Sequence, residues 1–154
     1  MVTFLFWNTN GKPLYEQIRE LARAHQVDVI ILGEFASNPV SLLEHLNSGP
    51  RPEFHFATGQ CERIRIFTRF SSDFLRPTHE SDRISIRRLR LPARLEILVV
   101  AAHLSSKLYQ SEDRLEVEPD VVGLLKSVEN ADKFPKPPLT MRPVALTLLF
   151  PQLL

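Results

Sequence analysis

Residues 2–34 read VTFLFWNTNGKPLYEQIRELARAHQVDVIILGE, and this stretch decides the fold. Residues 2–7 are rich in aromatic and β-branched side chains, which predicts a strand. Apolar residues then recur at the spacing of one helix face, at Leu14, Ile18, Leu21 and Ala22. Residues 27–32 form a second apolar run, typical of a strand covered on both faces. A strand, a helix and a strand at this spacing predict a right-handed crossover between parallel strands.

Each of these two strands ends near a polar residue that suits a hard cation. Asn8 follows the first strand, and Glu34 follows the second after Gly33. Parallel neighbours place both residues at the same edge of a sheet, where amide and carboxylate oxygens suit Mg²⁺ or Mn²⁺. A purely structural interpretation is also open, with Asn8 capping a turn and Glu34 exposed at a strand end. Spacing alone favours the structural interpretation, because short patterns are weak signals.

The middle of the chain predicts a short helix and a series of antiparallel strands. Ser41 and Glu44 have the spacing of a capping box, which predicts a helix over residues 42–46. The predicted strands cover residues 54–56, 63–67, 83–91 and 95–102. The last of these strands is strongly apolar and ends at His103.

His103 is the third candidate site residue. An imidazole at the end of a buried strand can act as a general acid or donate a hydrogen bond to a phosphoryl oxygen. A structural histidine fits the same position equally well. Asn10 and Lys107 are candidates for holding a phosphate, although polar loop residues of this kind are usually solvated.

Five arginines cluster in the predicted hairpin, at Arg83, Arg87, Arg88, Arg90 and Arg94. They alternate with apolar residues, which favours the solvent-facing side of an edge strand over a nucleic-acid surface. The formal net charge of +1 adds no general attraction to nucleic acid or membranes.

The composition is that of one globular domain and is compatible with a reducing compartment. The chain has 154 residues, 44% of them hydrophobic, and no apolar run long enough to span a bilayer. A single cysteine, Cys61, excludes an internal disulfide and a CxxC motif. The N-terminus lacks the pattern of a secretory signal, so a cytoplasmic protein is expected.

The C-terminal part changes character. Residues 111–130 have a helical pattern, whereas residues 131–154 combine five prolines with the apolar run 144–150 and predict no single element. We therefore divide the chain into a domain over residues 1–130 and a proline-broken apolar tail over residues 131–154.

Four segments together resemble the endonuclease/exonuclease/phosphatase family of deoxyribonuclease-like phosphoesterases. They are FWNTN (6–10), VIILGE (29–34), IRIFTR (64–69) and VVAAHLSSK (99–107). The resemblance implies an α/β fold, here half of a two-sheet α/β sandwich with a mixed sheet and helices on the outer face. It also implies hydrolysis of phosphoester bonds with a divalent metal, Mg²⁺ or Mn²⁺. By position, Glu34 matches the metal-binding glutamate, Asn8 the asparagine beside the metal, and His103 the histidine that contacts the scissile phosphate.

The chain departs from this family in its second half. The family carries further aspartate, asparagine and histidine motifs that activate the attacking water. Here no carboxylate side chain follows Asp132 and no histidine follows His103. The resemblance therefore extends to the N-terminal half only, and the expected protein is a truncated phosphoesterase that is slow or inactive alone.

Two hypotheses follow from these observations. The first is a metal-dependent phosphoesterase of the nuclease or phosphatase type, which hydrolyses a phosphodiester or a phosphomonoester. Nucleic acid is one of its candidate substrates. The second is a non-catalytic binding half-domain, or a decayed product without function. A half-sandwich would expose an apolar sheet face, so a partner chain that covers this face is expected. Nothing in the sequence separates DNA, RNA, inositol phosphate and phospholipid as substrates.

Overall fold

The computed structural model describes residues 1–50, 52–92 and 95–103, together with the backbone of residues 144–150. Two helices and eight strands lie in these ranges, and the strands form two sheets of four. The predicted helix over residues 111–130 and the domain boundary after residue 130 lie outside them.

The first sheet is built on the predicted crossover. Strand β1 (Phe4–Asn8) leads into helix α1 (Tyr15–Ala24) and then into strand β2 (Val29–Gly33). The two strands pair in parallel from Phe4 opposite Val29 to Asn8 opposite Gly33. The prediction from residues 2–34 is therefore confirmed, with β2 fully buried as its apolar run indicates.

Helix α2 (Pro39–Leu46) and strands β3 (His55–Phe56) and β4 (Ile64–Thr68) complete this sheet in the order β1-β2-β4-β3. The predicted start of α2 is wrong by one turn. Asn38 caps the helix, since its Oδ1 accepts a hydrogen bond from the backbone N–H of Val40 at 2.8 Å. Pro39 occupies the first turn, where its missing N–H costs nothing, and Ser41 lies inside the helix.

This cap leads to a test on stability. Asn38→Ala should lower the free energy of unfolding by about 1 kcal/mol, because it removes the acceptor for one of the unpaired N–H groups of the first turn. Ser41→Ala is the matched control, and it should change the unfolding free energy by less than half as much. Urea unfolding of the three proteins provides the measurement. Equal effects of the two substitutions would contradict the assignment of the cap.

The second sheet follows in chain order. It contains β5 (Leu75–Glu80), β6 (Ile84–Leu91), β7 (Leu95–His103) and β8 (Val144–Phe150), in that spatial order. Strand β6 pairs in antiparallel with both β5 and β7, and its pairing with β7 is the hairpin that the sequence predicts. Strand β8 pairs in parallel with β7, from Ile97 opposite Val144 to His103 opposite Phe150. Part of the unassigned tail is thus a strand of the second sheet.

The layers stack as helices, first sheet, second sheet. One apolar cluster joins the helices to the outer face of the first sheet, and it includes Ile18, Leu42, Ile30, Leu32 and Phe67. A second cluster fills the space between the sheets, and it includes Val29, Ile31, Ile66, Leu89 and Val99. The alternation along each strand sends successive side chains to opposite faces. These layers confirm the predicted sandwich with helices on its outer face.

Part of the outer face of the second sheet is buried. Ile84, Ile86, Val100 and Ala102 form a third apolar cluster and are only 3–5% exposed. The expected uncovered apolar face is not found at these four positions, which gives no support for a covering partner chain. Neither described helix has the length and apolarity that crossing a membrane would require.

The arginine-rich hairpin differs from its prediction. Strand β6 is not an edge strand, because β5 and β7 pair with it on either side. Arg88 and Arg90 are exposed and contact Glu96, as expected of a solvated face. Arg87 instead points between the sheets and is only 3% exposed. It forms a buried ion pair with Glu80 of β5.

This ion pair ties the two sheets together. Arg87 Nη2 also donates to the carbonyl of Thr58, at 2.8 Å, in the segment that links β3 to β4 of the first sheet. Glu80 accepts from the backbone N–H of Gln60 at 2.8 Å and from the Ser85 hydroxyl at 3.1 Å. A buried ion pair is retained only where such extra hydrogen bonds satisfy both charges. We call these four side-chain and loop contacts the Arg87–Glu80 network.

Candidate functional site

The ends of three strands meet at one edge of the sandwich. Asn8 ends β1 beside Gly33 of β2, and the register carries Glu34 to the next position. His103 ends β7 on the same face as Val99 and Ala101, which point between the sheets.

Glu34 is held by its backbone in an unusual conformation. Its φ is 50°, in the left-handed region that non-glycine residues rarely adopt. Its N–H donates to the carbonyl of Arg63 at 3.0 Å, while its carbonyl accepts from the N–H of Gly11 at 2.8 Å. The Thr9 hydroxyl donates to the same carbonyl at 2.9 Å. With this backbone turn, the Glu34 side chain no longer follows the alternating directions of the side chains along β2.

The carboxylate reaches His103 across the two sheets. His103 Nε2 lies 2.8 Å from Glu34 Oε1, with the two side chains 5% and 17% exposed. An ionised carboxylate only accepts hydrogen bonds, so Nε2 is the donor. Charge-assisted hydrogen bonds of this kind are stronger than neutral ones. The other ring nitrogen, Nδ1, is buried and has no hydrogen-bond partner among the described residues.

Asn8 shapes the turn that follows β1. Its Oδ1 accepts a hydrogen bond from the N–H of Asn10 at 3.0 Å. Asn10 and Gly11 both have positive φ, at 46° and 71°, so the chain turns sharply here. Asn8 therefore has the structural role considered for it, and its carbonyl oxygen retains a second lone pair for another donor or a cation.

The structure thus brings Asn8, Glu34 and His103 to one edge, and Asn10 lies exposed in the adjoining turn. Lys107 lies outside the described residues. The sequence interpretation missed Thr9, which is 2% exposed and donates to the carbonyls of both Gly33 and Glu34. The available signal was a threonine placed directly after a strand, where its hydroxyl readily bonds the backbone.

The donor set at this edge fits a hard cation with an incomplete protein shell. Within the described ranges, no three histidine, cysteine, aspartate or glutamate side chains group together as metal ligands. Glu34 supplies a carboxylate and Asn8 an amide oxygen, which are ligands that Mg²⁺ accepts. Mg²⁺ commonly takes one or two carboxylates from the protein and completes its shell with water and substrate phosphate. The residues present therefore fit magnesium better than zinc.

Cys61 lies behind this edge, just before β4. Its thiol donates to the carbonyl of Asp82 at 3.3 Å, and burial raises the pKa of the thiol above its ordinary value. The raised pKa keeps the thiol protonated, and only the thiolate reacts as a nucleophile.

We therefore expect the native protein to react with iodoacetamide at least about tenfold more slowly than the urea-unfolded chain at pH 8. Because the folded state holds the thiol proton more tightly, this group stabilises the fold fully below its ordinary pKa. That contribution should be lost as the pH rises through the raised value. Mass spectrometry of labelled protein measures the rates, and equal rates in both states would contradict the burial of Cys61.

Comparison with solved structures agrees with this architecture. An endonuclease/exonuclease/phosphatase family protein from Leptotrichia buccalis is similar with a TM-score of 0.53 and 14% identity, over 88% of this chain and 63% of that one. A truncated form of TDP2 from Caenorhabditis elegans is similar with a TM-score of 0.53 and 14% identity, over 87% of this chain and 57% of that one. TDP2 from D. rerio, complexed with a single-strand DNA product, is similar with a TM-score of 0.52 and 16% identity, over 84% of this chain and 55% of that one.

The chain spans 55–63% of the length of these three structures. No protein-family model and no curated protein sequence matches it. At this level of identity the similarity concerns the fold alone, which means the strand order and the layers described above. The chain has the fold of the endonuclease/exonuclease/phosphatase family.

Proposed function

We propose that the chain is a metal-dependent phosphoesterase-family protein of the nuclease or phosphatase type, with its site at the edge formed by Asn8, Glu34 and His103. The observation that carries the proposal is the 2.8 Å contact between Glu34 and His103, which are 69 positions apart in the chain. A carboxylate and an imidazole that converge from two different sheets form a preorganised polar site. Such a site is what hydrolysis of a phosphoester requires.

Each residue has a distinct role in this proposal. Glu34 and the free lone pair of Asn8 Oδ1 would hold Mg²⁺ or Mn²⁺, and the bound ion would neutralise charge that develops on the phosphoryl oxygens. His103 would donate its Nε2 proton to a phosphoryl oxygen once the bound ion draws the Glu34 carboxylate away from its 2.8 Å contact with Nε2. Thr9 and Gly11 fix the backbone of Glu34 and act as positioning residues.

Nucleic acid is the proposed substrate class. The support is the fold, since the D. rerio TDP2 structure of similar architecture holds a single-strand DNA product. Among the described residues, no group of three or more histidine, cysteine, aspartate or glutamate side chains forms around Glu34. The sequence supplies no histidine beyond His103. We therefore expect this chain alone to hydrolyse its substrate slowly.

The alternative is a binding module that retains the phosphate-facing edge without turnover. The absence from the sequence of histidines after His103, and of carboxylates after Asp132, favours it. The two functions share the metal site and differ in turnover only.

Calorimetry with Mn²⁺ and a hydrolysis assay with bis(p-nitrophenyl) phosphate test the proposal together. The first should show one bound ion per chain. The second should show release of nitrophenol that requires Mg²⁺ or Mn²⁺ and stops with EDTA. Metal binding without turnover would select the binding module, and no metal binding at all would reject both functions.

A further inference from the structure

A second basic surface lies on the helix side of the first sheet, next to the site. An open pocket of about 590 Å³ is lined by Phe35–Pro39, which lead from β2 into the start of α2, and by Glu62, Arg63 and Arg65 at the start of β4. Arg63 and Arg65 contribute its two guanidinium groups. The pocket adjoins the site directly, because the carbonyl of Arg63 accepts the N–H of Glu34 at 3.0 Å.

Neither guanidinium group has a carboxylate partner among the described residues. Arg65 Nη1 donates to the carbonyl of Cys61 at 3.2 Å, which fixes one side of the group. Its Nε is buried without a hydrogen-bond partner there. By contrast, Arg69 is paired with Glu53, Arg87 with Glu80, and Arg90 with Glu96. The Nε of Arg69 is also buried without a hydrogen-bond partner among the described residues, so the missing carboxylate is what sets Arg63 and Arg65 apart.

A guanidinium group that lines an open pocket without a carboxylate partner is available to an anionic ligand. Arginine binds phosphate with two parallel hydrogen bonds from its planar group. Glu62 also lines the pocket, so it holds the local charge below that of the two arginines alone. The N-terminus of α2 adds little, because the Asn38 side chain already caps it.

We infer that Arg63 and Arg65 form a second phosphate site, which holds a backbone phosphate of a single-stranded nucleic acid next to the scissile phosphate at Glu34 and His103. The inference rests on the proposed function for the position of the scissile phosphate. A nucleic-acid strand carries phosphates in series, so a strand that crosses this sheet edge presents one phosphate to each site. An open groove suits such a continuous strand, whereas a small phosphomonoester would occupy the first site only.

The test is binding of a fluorescently labelled, single-stranded oligonucleotide, measured by anisotropy in EDTA at several salt concentrations. Arg63→Gln with Arg65→Gln should weaken binding about tenfold at low salt. The slope of log Kd against log salt should fall by about 0.7, the value for one lost phosphate contact on a single strand. Arg88→Gln with Arg90→Gln removes the same charge from the opposite sheet and should leave both quantities near those of the wild type.

Equal losses in the two double variants, or none in the first, would overturn the inference. Circular dichroism checks folding, and the Arg63→Lys, Arg65→Lys variant should keep the salt slope. If the glutamine variant does not fold, Glu62→Gln decides the matter, because it should tighten binding about threefold, and unchanged binding would refute the site.

This binding assay contains no metal and no reaction, so its result is separate from that of the proposed function. If the protein shows no turnover but its binding depends on Arg63 and Arg65, the second phosphate site stands and the phosphoesterase proposal is rejected. If the protein shows metal-dependent turnover but its binding does not depend on these arginines, the phosphoesterase proposal stands and the second phosphate site is rejected.

Discussion

Glu34→Gln should lower any metal-dependent hydrolysis by about a hundred- to a thousandfold, and should weaken Mn²⁺ binding by more than about tenfold. The substitution keeps the size of the side chain and an acceptor for His103 Nε2, so the contact between the sheets can persist. It removes the carboxylate charge that Glu34 is proposed to offer to a cation. Initial rates with saturating Mg²⁺ and calorimetry with Mn²⁺ provide the two measurements.

Glu44→Gln is the matched control for this prediction. Glu44 is an exposed glutamate of α2 and belongs to no site described above, so rate and metal affinity should stay at the wild-type values. His103→Gln should lower the rate while sparing Mn²⁺ affinity, because His103 is proposed to donate to the phosphate and not to bind the ion. A Glu34→Gln variant with the wild-type affinity for Mn²⁺ would remove Glu34 from the metal site.

Gly59→Ala should lower the free energy of unfolding by about 3 kcal/mol. A Cβ atom at residue 59 would lie 2.3 Å from Glu80 Oε1 and 2.4 Å from Arg87 Nη2. These side chains are only 10% and 4% exposed, so they cannot move away without leaving buried charges unpaired. Thermal or urea unfolding gives the free energy.

Gly49→Ala provides the comparison for this substitution. A Cβ atom there would lie 3.3 Å from Arg23 Nη2, at the end of an exposed and flexible side chain that can shift at little cost. The unfolding free energy should therefore change by less than about 1 kcal/mol. If both alanine variants are equally stable, the Arg87–Glu80 network does not hold the segment between β3 and β4 against the second sheet.

The parts of the fold that follow from local patterns were predictable. The unit from β1 to β2 is decided by helical and strand periodicity within residues 2–34, and the structure reproduces it. The same information was present at α2, where Asn38 followed by Pro39 is a stronger start signal than Ser41. Proline is tolerated in the first turn of a helix and disfavoured inside it, which places the cap before residue 39.

The features that depend on distant partners were not predictable. Arg87 has the alternation of a solvated residue, and only the pairing of β5 with β6 shows that Glu80 neutralises it between the sheets. The parallel pairing of β8 with β7 joins residues that are far apart in sequence, and no local period encodes it. The sequence predicted Asn8 and Glu34 as a pair at the ends of two parallel strands, and it suggested His103 separately. Their convergence depends on how two sheets pack, which follows from the fold as a whole.

The left-handed backbone of Glu34 also bears on how this sequence should change over many generations. A φ of 50° is comfortable for glycine or asparagine and strained by about 1 kcal/mol or more for glutamate. A lineage that no longer uses the site would gain stability by exchanging this residue, and random drift alone should remove it early. If Glu34 serves the proposed site, its presence or loss in sister genes should separate copies under functional constraint from those released from it.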